Sequence, residues 1–336
     1  MRYFRRQVAA IAAMLLSLSG GGAIAQTIEQ ISVHSPAIEG NLEGNSADRE
    51  VFVLLPPGYD SAPERRYPVV YFLHGFTAHA ATYVERGEAL EAAKAVMAEG
   101  PELILVFPDS YTRHGGSMYS TSPTTGDFEG FVTRDLIAYV DSHYRTIATR
   151  ESRGLAGHSM GGYGTLKLGM KYPDLFSSLY AMSPCCTAPT PITGEQAAQL
   201  AQVTPEQADN APFFLRAALA SFAAWSPAPD KPPFFFDTGA QEDGTVDPIV
   251  VGRLAANAPE VMLPQYLPAL ARMEAIGMEV GDSDFLIDGI VAMHEAMTRF
   301  GLAHDWEVYQ GDHMNRLPVR FREKLLPFFQ QHLDQQ

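Results

Sequence analysis

Residues 157–161 read Gly-His-Ser-Met-Gly, a spacing that is typical of an activated serine nucleophile. They lie between a short predicted strand at residues 152–156 and a helical pattern at residues 161–172. Glycines on both sides of Ser159 permit the sharp turn that exposes a hydroxyl at the carboxyl end of a sheet. The pattern therefore predicts a nucleophile elbow centred on Ser159.

A serine nucleophile also needs donors for the negative charge on its tetrahedral intermediate. Residues 74–77 (His-Gly-Phe-Thr) directly follow the apolar run at residues 67–73, so they are expected in a loop at the same edge of the sheet. We assign the backbone N–H groups of Phe76 and Met160 as the oxyanion donors. The ring of His74 is expected to hold this loop.

The serine requires a base, and His313 has the expected position among the ten histidines. Residues 310–313 form a turn between the last predicted strand, at residues 304–309, and the closing helix, at residues 318–333. The order of nucleophile, acid and base along the chain then places the acid after the preceding strand.

Two carboxylates can supply that acid. Asp284 follows an apolar segment, and only one amphipathic helix and the last strand separate it from His313. Asp243 ends another apolar segment, but it would need a further strand before His313. We favour Asp284, with Asp282 as a neighbouring carboxylate that is either a solvated loop charge or the acid itself.

Apolar runs and helical patterns alternate along most of the chain, which predicts βαβ units and a mostly parallel sheet of about eight strands with helices on both faces. The segment at residues 51–55 ends in Pro-Pro-Gly and predicts an antiparallel hairpin at the edge of the sheet. The alternation fails over about residues 184–270, where we expect a lid-like insertion that covers the sheet.

The composition excludes several classes of protein. The chain has 336 residues and a formal charge of −15, so it lacks the basic footprint of a nucleic-acid-binding protein. Its two cysteines, Cys185 and Cys186, are adjacent and have no spacing for a structural zinc site. Neighbouring Cα atoms lie about 3.8 Å apart, so a disulfide between them would be strained, and two small thiols are the simpler interpretation.

The first 25 residues have the three zones of a secretory signal peptide. Three arginines precede an apolar stretch, which is followed by Ala-Ile-Ala at residues 23–25. The apolar stretch is shorter than the roughly 20 residues that a membrane span needs. We therefore expect cleavage after Ala25, no membrane span, and export of a domain that comprises residues 26–336.

Together these segments resemble the esterase D-like branch of the α/β-hydrolases, which includes S-formylglutathione hydrolases, feruloyl esterases and mycolyltransferases. The resemblance runs from about residue 51 to residue 329. It is most specific at residues 144–162 and at residues 172–176 (Tyr-Pro-Asp-Leu-Phe). Residues 281–286 also match, and their Gly-x-x-Asp spacing supports Asp284. The resemblance implies an α/β-hydrolase fold.

The resemblance also implies a serine carboxylesterase that works through an acyl-enzyme, without a metal or an organic cofactor. The long stretch at residues 184–271 departs from the compact members of the family, so the substrate is not carried over from them, and we expect a small or aromatic ester. Ser159 would be the nucleophile, His313 the base and Asp284 the residue that orients it. An acyltransferase or a thioesterase of the S-formylglutathione hydrolase type would use the same three residues. A binding module without catalysis would not need all three. The sequence leaves the natural ester and the oligomeric state open.

Overall fold

The computed structural model describes residues 27–86 and 89–336, and its centre is one eight-stranded sheet. The signal peptide predicted at residues 1–25, with its cleavage site after Ala25, lies outside the described residues. The sheet order is β1-β2-β4-β3-β7-β8-β9-β10, and β5 and β6 form a separate hairpin. In chain order the strands are β1 (Ile28–His34), β2 (Asp48–Leu54), β3 (Val69–Leu73), β4 (Ile104–Pro108), β5 (Thr121–Ser122), β6 (Gly126–Asp127), β7 (Arg153–His158), β8 (Ser178–Met182), β9 (Ala275–Gly281) and β10 (Asp305–Tyr309).

Strands β4, β3, β7, β8, β9 and β10 are parallel, whereas β2 is antiparallel to both β4 and β1. The predicted parallel sheet and its antiparallel edge hairpin are therefore confirmed. The outer strand of the hairpin, β1, was not predicted. Four of its seven residues are polar, and its position at the edge leaves most of them accessible to solvent.

Helices cover both faces of the sheet. They are α1 (Ala80–Arg86), α2 (Ala89–Met97), α3 (Phe128–Gly130), α4 (Ile137–His143), α5 (Met160–Lys171), α6 (Gly194–Ala201), α7 (Pro205–Asp209), α8 (Phe213–Trp225), α9 (Pro248–Ala255), α10 (Pro259–Leu270), α11 (Ile287–Arg299), α12 (Leu317–Arg320) and α13 (Leu326–His332). A π-helical turn at Phe131–Leu136 joins α3 to α4, and another at Phe321–Leu325 joins α12 to α13.

The apolar strands divide their side chains between two cores. In β3, Val69, Tyr71 and Leu73 contribute to the core on one face of the sheet, whereas Val70 and Phe72 contribute to the core on the other face. Because successive side chains of a strand point to opposite faces, a strand that is covered on both sides is apolar throughout. This explains the uninterrupted apolar run that predicted the strand.

The segment between β8 and β9 contains α6 to α10. Its first four helices share a small separate core, which includes Leu219, Phe222, Phe236 and Val250. Helix α10 instead packs against α5 and provides the crossover that two parallel strands require. The sequence did not predict α10, because Pro264 and Pro268 lie inside it.

A very close backbone contact joins α5 to β3. A Cβ atom at Gly161 would lie 1.9 Å from the carbonyl oxygen of Leu73, a backbone atom that cannot rotate away. We expect Gly161→Ala to lower the free energy of unfolding by at least about 3 kcal/mol, because the helix and the strand must separate. Urea denaturation of the purified protein measures this change.

Gly252→Ala is the matched control. Gly252 lies in the exposed interior of α9, and a Cβ atom there would have no heavy atom within 4 Å. The same substitution should raise the free energy of unfolding by about 0.5–1 kcal/mol, because alanine favours the helix. Equal effects of the two substitutions would contradict this account of the contact.

Candidate active site

Ser159 occupies the turn between β7 and α5, and its backbone has the unusual dihedral angles φ 57° and ψ −115°. Two close approaches make the turn possible. A Cβ atom at Gly157 would lie 2.4 Å from the backbone of Gly161, and one at Gly161 would meet Leu73. A serine that is held in such a strained turn at the end of a strand has the geometry of a nucleophile elbow.

His313 and Asp284 form a hydrogen-bonded pair at the carboxyl ends of β10 and β9. The Nδ1 atom of His313 lies 2.8 Å from Oδ2 of Asp284, whose side chain is completely buried. The other oxygen, Oδ1, accepts the backbone N–H of Leu286 at 2.9 Å. Burial alone would raise the pKa of Asp284, but these hydrogen bonds outweigh it and hold the pKa below its usual value. Asp284 therefore stays ionised and fixes the ring of His313.

The two loops that carry Asp284 and His313 are also hydrogen-bonded to each other. Asp282 Oδ1 accepts the backbone N–H of Gly311 at 3.1 Å, and its own N–H donates to the carbonyl of Tyr309 at 2.8 Å. A Cβ atom at Gly281 would lie 2.3 Å from the carbonyl oxygen of Gly311. Asp282 is thus a loop carboxylate that joins the ends of β9 and β10, and it does not contact the imidazole through any described hydrogen bond.

A buried hydrogen-bond network links the elbow to His313 and to the loop after β3. His158 Nε2 lies 2.8 Å from the carbonyl oxygen of His313, and His158 Nδ1 lies 2.7 Å from the hydroxyl of Tyr83. A carbonyl only accepts, so Nε2 of His158 donates, and Nδ1 accepts from Tyr83. The Tyr83 oxygen in turn accepts the N–H of Gly75 at 3.0 Å. Burial lowers the pKa of His158 to about 3, which keeps the ring neutral.

The two predicted oxyanion donors come from neighbouring segments. A Cβ atom at Gly116 would touch the side chains of both Phe76 and Met160, and one at Gly75 would lie 3.4 Å from Cβ of Ser159. In the described part of the chain, neither N–H donates a hydrogen bond to a protein acceptor. Both are therefore available to an oxyanion beside Ser159.

His74 has the structural role that its position indicates. Its buried ring accepts the N–H of Ser110 at Nε2, at 2.7 Å, and its Nδ1 donates to the carbonyl of Gly75 at 2.9 Å. Burial lowers its pKa, so the ring is neutral.

The structure brings together His313, Asp284 and the elbow at Ser159, but it leaves Asp243 apart. Asp243 lies in an exposed turn before α9, and its Oδ1 accepts from the N–H and the hydroxyl of Thr245. No described hydrogen bond joins the Ser159 hydroxyl to His313. Such bonds commonly tighten only when a substrate binds.

The role of Tyr83 could not be predicted from the sequence. Its place in α1 and its bond to His158 depend on tertiary packing, and no motif marks it. Two other aromatic residues differ in position, since Tyr119 is a buried core residue, whereas Trp225 borders a cavity.

That cavity lies within the insertion, because its lining residues all fall between residues 186 and 258, and it has a volume of about 1060 Å³. Its wall includes Cys186, Phe214, Phe222, Trp225 and Leu254, and none of its described lining residues is charged. Cys186 is next to Cys185, whose N–H donates to the carbonyl of Ser159 at 3.0 Å. The cavity therefore approaches the elbow at Cys186, although neither Ser159 nor His313 is among its described lining residues.

In residues 27–86 and 89–336, no group of three or more histidine, cysteine or acidic side chains is arranged to hold a metal ion. No helix in the same ranges has both the length and the apolar character that crossing a bilayer requires.

Comparisons with known proteins place this geometry in a family. Residues 45–256 match the family model described as "Putative esterase". An esterase of Mycobacterium tuberculosis is 31% identical over 133 residues, which are 38% of this chain and 27% of the relative. An S-formylglutathione hydrolase of Paracoccus denitrificans is 28% identical over 151 residues, which are 39% of this chain and 50% of the relative. The matches thus span half or less of these relatives.

The likeness to solved structures agrees with the family match. The solved structure of a ferulic acid esterase aligns with 93% of this chain and all of its own, with a TM-score of 0.66 and 22% identity. The predicted α/β-hydrolase fold is confirmed by this likeness and by the eight-stranded sheet. The chain belongs to the esterase family of the α/β-hydrolases.

Proposed function

We propose that this chain is an exported serine carboxylesterase in which Ser159, His313 and Asp284 form the catalytic triad. The observation that carries the proposal is the 2.8 Å hydrogen bond between His313 and the buried Asp284, next to a strained elbow. Membership of the esterase family supports cleavage of carboxylic esters. The signal-like pattern of residues 1–25 supports export.

In this mechanism the Ser159 hydroxyl attacks the ester carbonyl while Nε2 of His313 accepts its proton. Asp284 stabilises the imidazolium that forms and keeps the proton on Nδ1 of the neutral ring. The N–H groups of Phe76 and Met160 bind the oxyanion of the tetrahedral intermediate. His313 then protonates the leaving alcohol, and a water molecule hydrolyses the acyl-enzyme by the same steps in reverse order.

The proposed substrate is a small or aromatic ester without a charge near the carbonyl. The uncharged and largely apolar wall of the cavity, which approaches the elbow at Cys186, supports this choice, because an apolar acyl or aryl group is favoured where it leaves water. The relatives named feruloyl esterase and S-formylglutathione hydrolase act, by name, on an aromatic ester and a thioester. A panel of aryl, acetyl and thiol esters tests which class this chain prefers.

Ser159→Ala should leave a folded protein whose kcat for p-nitrophenyl butyrate falls by about 10⁶, as for the loss of a triad nucleophile. A fluorophosphonate probe should label the wild-type protein and Ser142→Ala, which changes an exposed helical serine, but not Ser159→Ala. Near-normal turnover or labelling of Ser159→Ala would refute the assignment.

Asp284→Asn should lower kcat by about 10³–10⁴, because asparagine keeps the volume but stabilises the wrong tautomer of His313. Asp243→Asn and Asp282→Asn are the controls. The first changes an exposed turn and the second a loop carboxylate, so each should cost less than about tenfold. If Asp243→Asn were the inactive variant, the proposed triad would be wrong.

The loss of kcat/KM at acid pH should follow the protonation of a single group. Burial lowers the pKa of His74, and it lowers the pKa of His158 to about 3, while the pKa of Asp284 lies below its usual value. A histidine base accepts the Ser159 proton only when its ring is neutral, so a single protonation should abolish the reaction. On the acid limb of the profile, log kcat/KM should therefore fall with a limiting slope of about one. A slope near two, or no loss of rate, would contradict a single histidine base.

A further inference from the structure

Cys185 and Cys186 lie in the loop after β8, directly against the elbow. The Sγ atoms of the two free cysteines are 2.8 Å apart, whereas the sulfurs of a disulfide are separated by about 2.05 Å. Successive side chains of an extended chain point in opposite directions, so neighbouring cysteines ordinarily do not meet. Here Cys186 has a left-handed backbone, with φ 56°, which breaks that alternation.

Hydrogen bonds hold the backbone on both sides of the pair. The N–H of Ser183 donates to the carbonyl of Glu279 at 2.8 Å, and the N–H of Cys185 donates to that of Ser159 at 3.0 Å. On the other side, the Thr187 hydroxyl donates to the carbonyl of Gly289 at 2.8 Å. The two sulfurs are therefore held together before any bond forms. Forming a disulfide would then cost little further conformational entropy of the chain.

The pair is also within reach of a small reagent. Both cysteines are half-buried, and Cys186 lines the cavity within the insertion. A disulfide between neighbours joins Cα atoms about 3.8 Å apart, below the usual range of roughly 4.4–6.8 Å, and such strain makes the bond easily reduced.

We propose that Cys185 and Cys186 are a reversible redox site, a dithiol that small disulfides oxidise to a vicinal disulfide in the cavity wall. The thiolate of Cys186 attacks one sulfur of glutathione disulfide and releases the first glutathione. The thiolate of Cys185 then attacks the sulfur of Cys186 in the mixed disulfide and releases the second. The pair loses two electrons and two protons, and both glutathiones leave as thiols.

The second step should depend on pH. In the free dithiol, the hydrogen bond to Cys186, and then burial, raise the pKa of the Cys185 thiol well above its usual value, and of these two causes burial still acts once Cys186 carries glutathione. Because the thiolate is the attacking species, ring closure should be faster at pH 9 than at pH 7.

The test uses the full chain, reduced with dithiothreitol, freed of it, and exposed to glutathione disulfide under native conditions. Iodoacetamide then blocks the remaining thiols, and mass spectrometry measures the tryptic peptide of residues 172–216. We expect a peptide that has lost two hydrogen atoms and carries neither glutathione nor an alkyl group. Fresh dithiothreitol should restore both thiols.

Cys185→Ser is the matched control, because it keeps the cavity-facing thiol and removes the resolving one. Its peptide should carry one stable glutathione, since no second thiol is present to displace it. Two alkyl groups on the wild-type peptide, a stable mixed disulfide, a link between two chains, or resistance to dithiothreitol would each overturn the proposal. The readout is a mass, so it is independent of the proposed esterase activity.

Discussion

The contact between the first turn of α5 and the end of β3 is the constraint on which the site depends. Gly161 lies so close to the carbonyl of Leu73 that no side chain fits between them. This contact places the N-terminus of α5 beside the loop that begins at His74. The serine, its backbone donors and the loop of Phe76 are therefore positioned by one packing requirement rather than by several independent ones.

Asp284 and His313 depend on a second constraint, a buried group of charges on the strands that precede them. Glu279 in β9 is fully buried, and Arg320 in α12 binds both Glu279 and Glu307 of β10. Burial would lower the pKa of Arg320, but its hydrogen bonds to the two carboxylates outweigh this and raise it. Removing one partner of such a buried group typically costs about 3–5 kcal/mol, so these charges hold β9, β10 and the last helices together. The loops that carry Asp284 and His313 begin at the carboxyl ends of β9 and β10, the two strands that these charges join.

Most of the sheet could be predicted from the sequence, and so could the residues that the structure brings together near Ser159, because both follow from local patterns. An apolar run that is covered on both faces predicts a buried strand, and Gly-x-Ser-x-Gly between a predicted strand and a predicted helix predicts a nucleophile elbow. Asp284 was ranked above Asp243 by counting strands, and the structure places only Asp284 against His313. Each of these inferences used residues that are near one another in the chain.

The features that were missed depend on contacts between distant segments. Helix α10 contains two prolines, and its packing against α5 outweighs their local effect. The bond between Tyr83 and His158 joins residues 75 positions apart, so no spacing indicates it. The encounter of the two sulfurs depends on the left-handed backbone of Cys186, a conformation that the sequence Cys-Cys does not indicate.

The separate core of the insertion has a consequence for how this enzyme family diversifies. Leu219, Phe222, Phe236 and Val250 stabilise α8 and α9 through contacts among themselves, apart from the two cores that flank the sheet. A substitution among these four residues therefore acts mainly within the insertion, whereas one at Trp225 or Cys186 of the cavity wall also reaches the core that α5 shares with the sheet. Selection can thus change part of the cavity wall at little cost to the strands, and the insertion and the sheet can evolve at different rates on one scaffold.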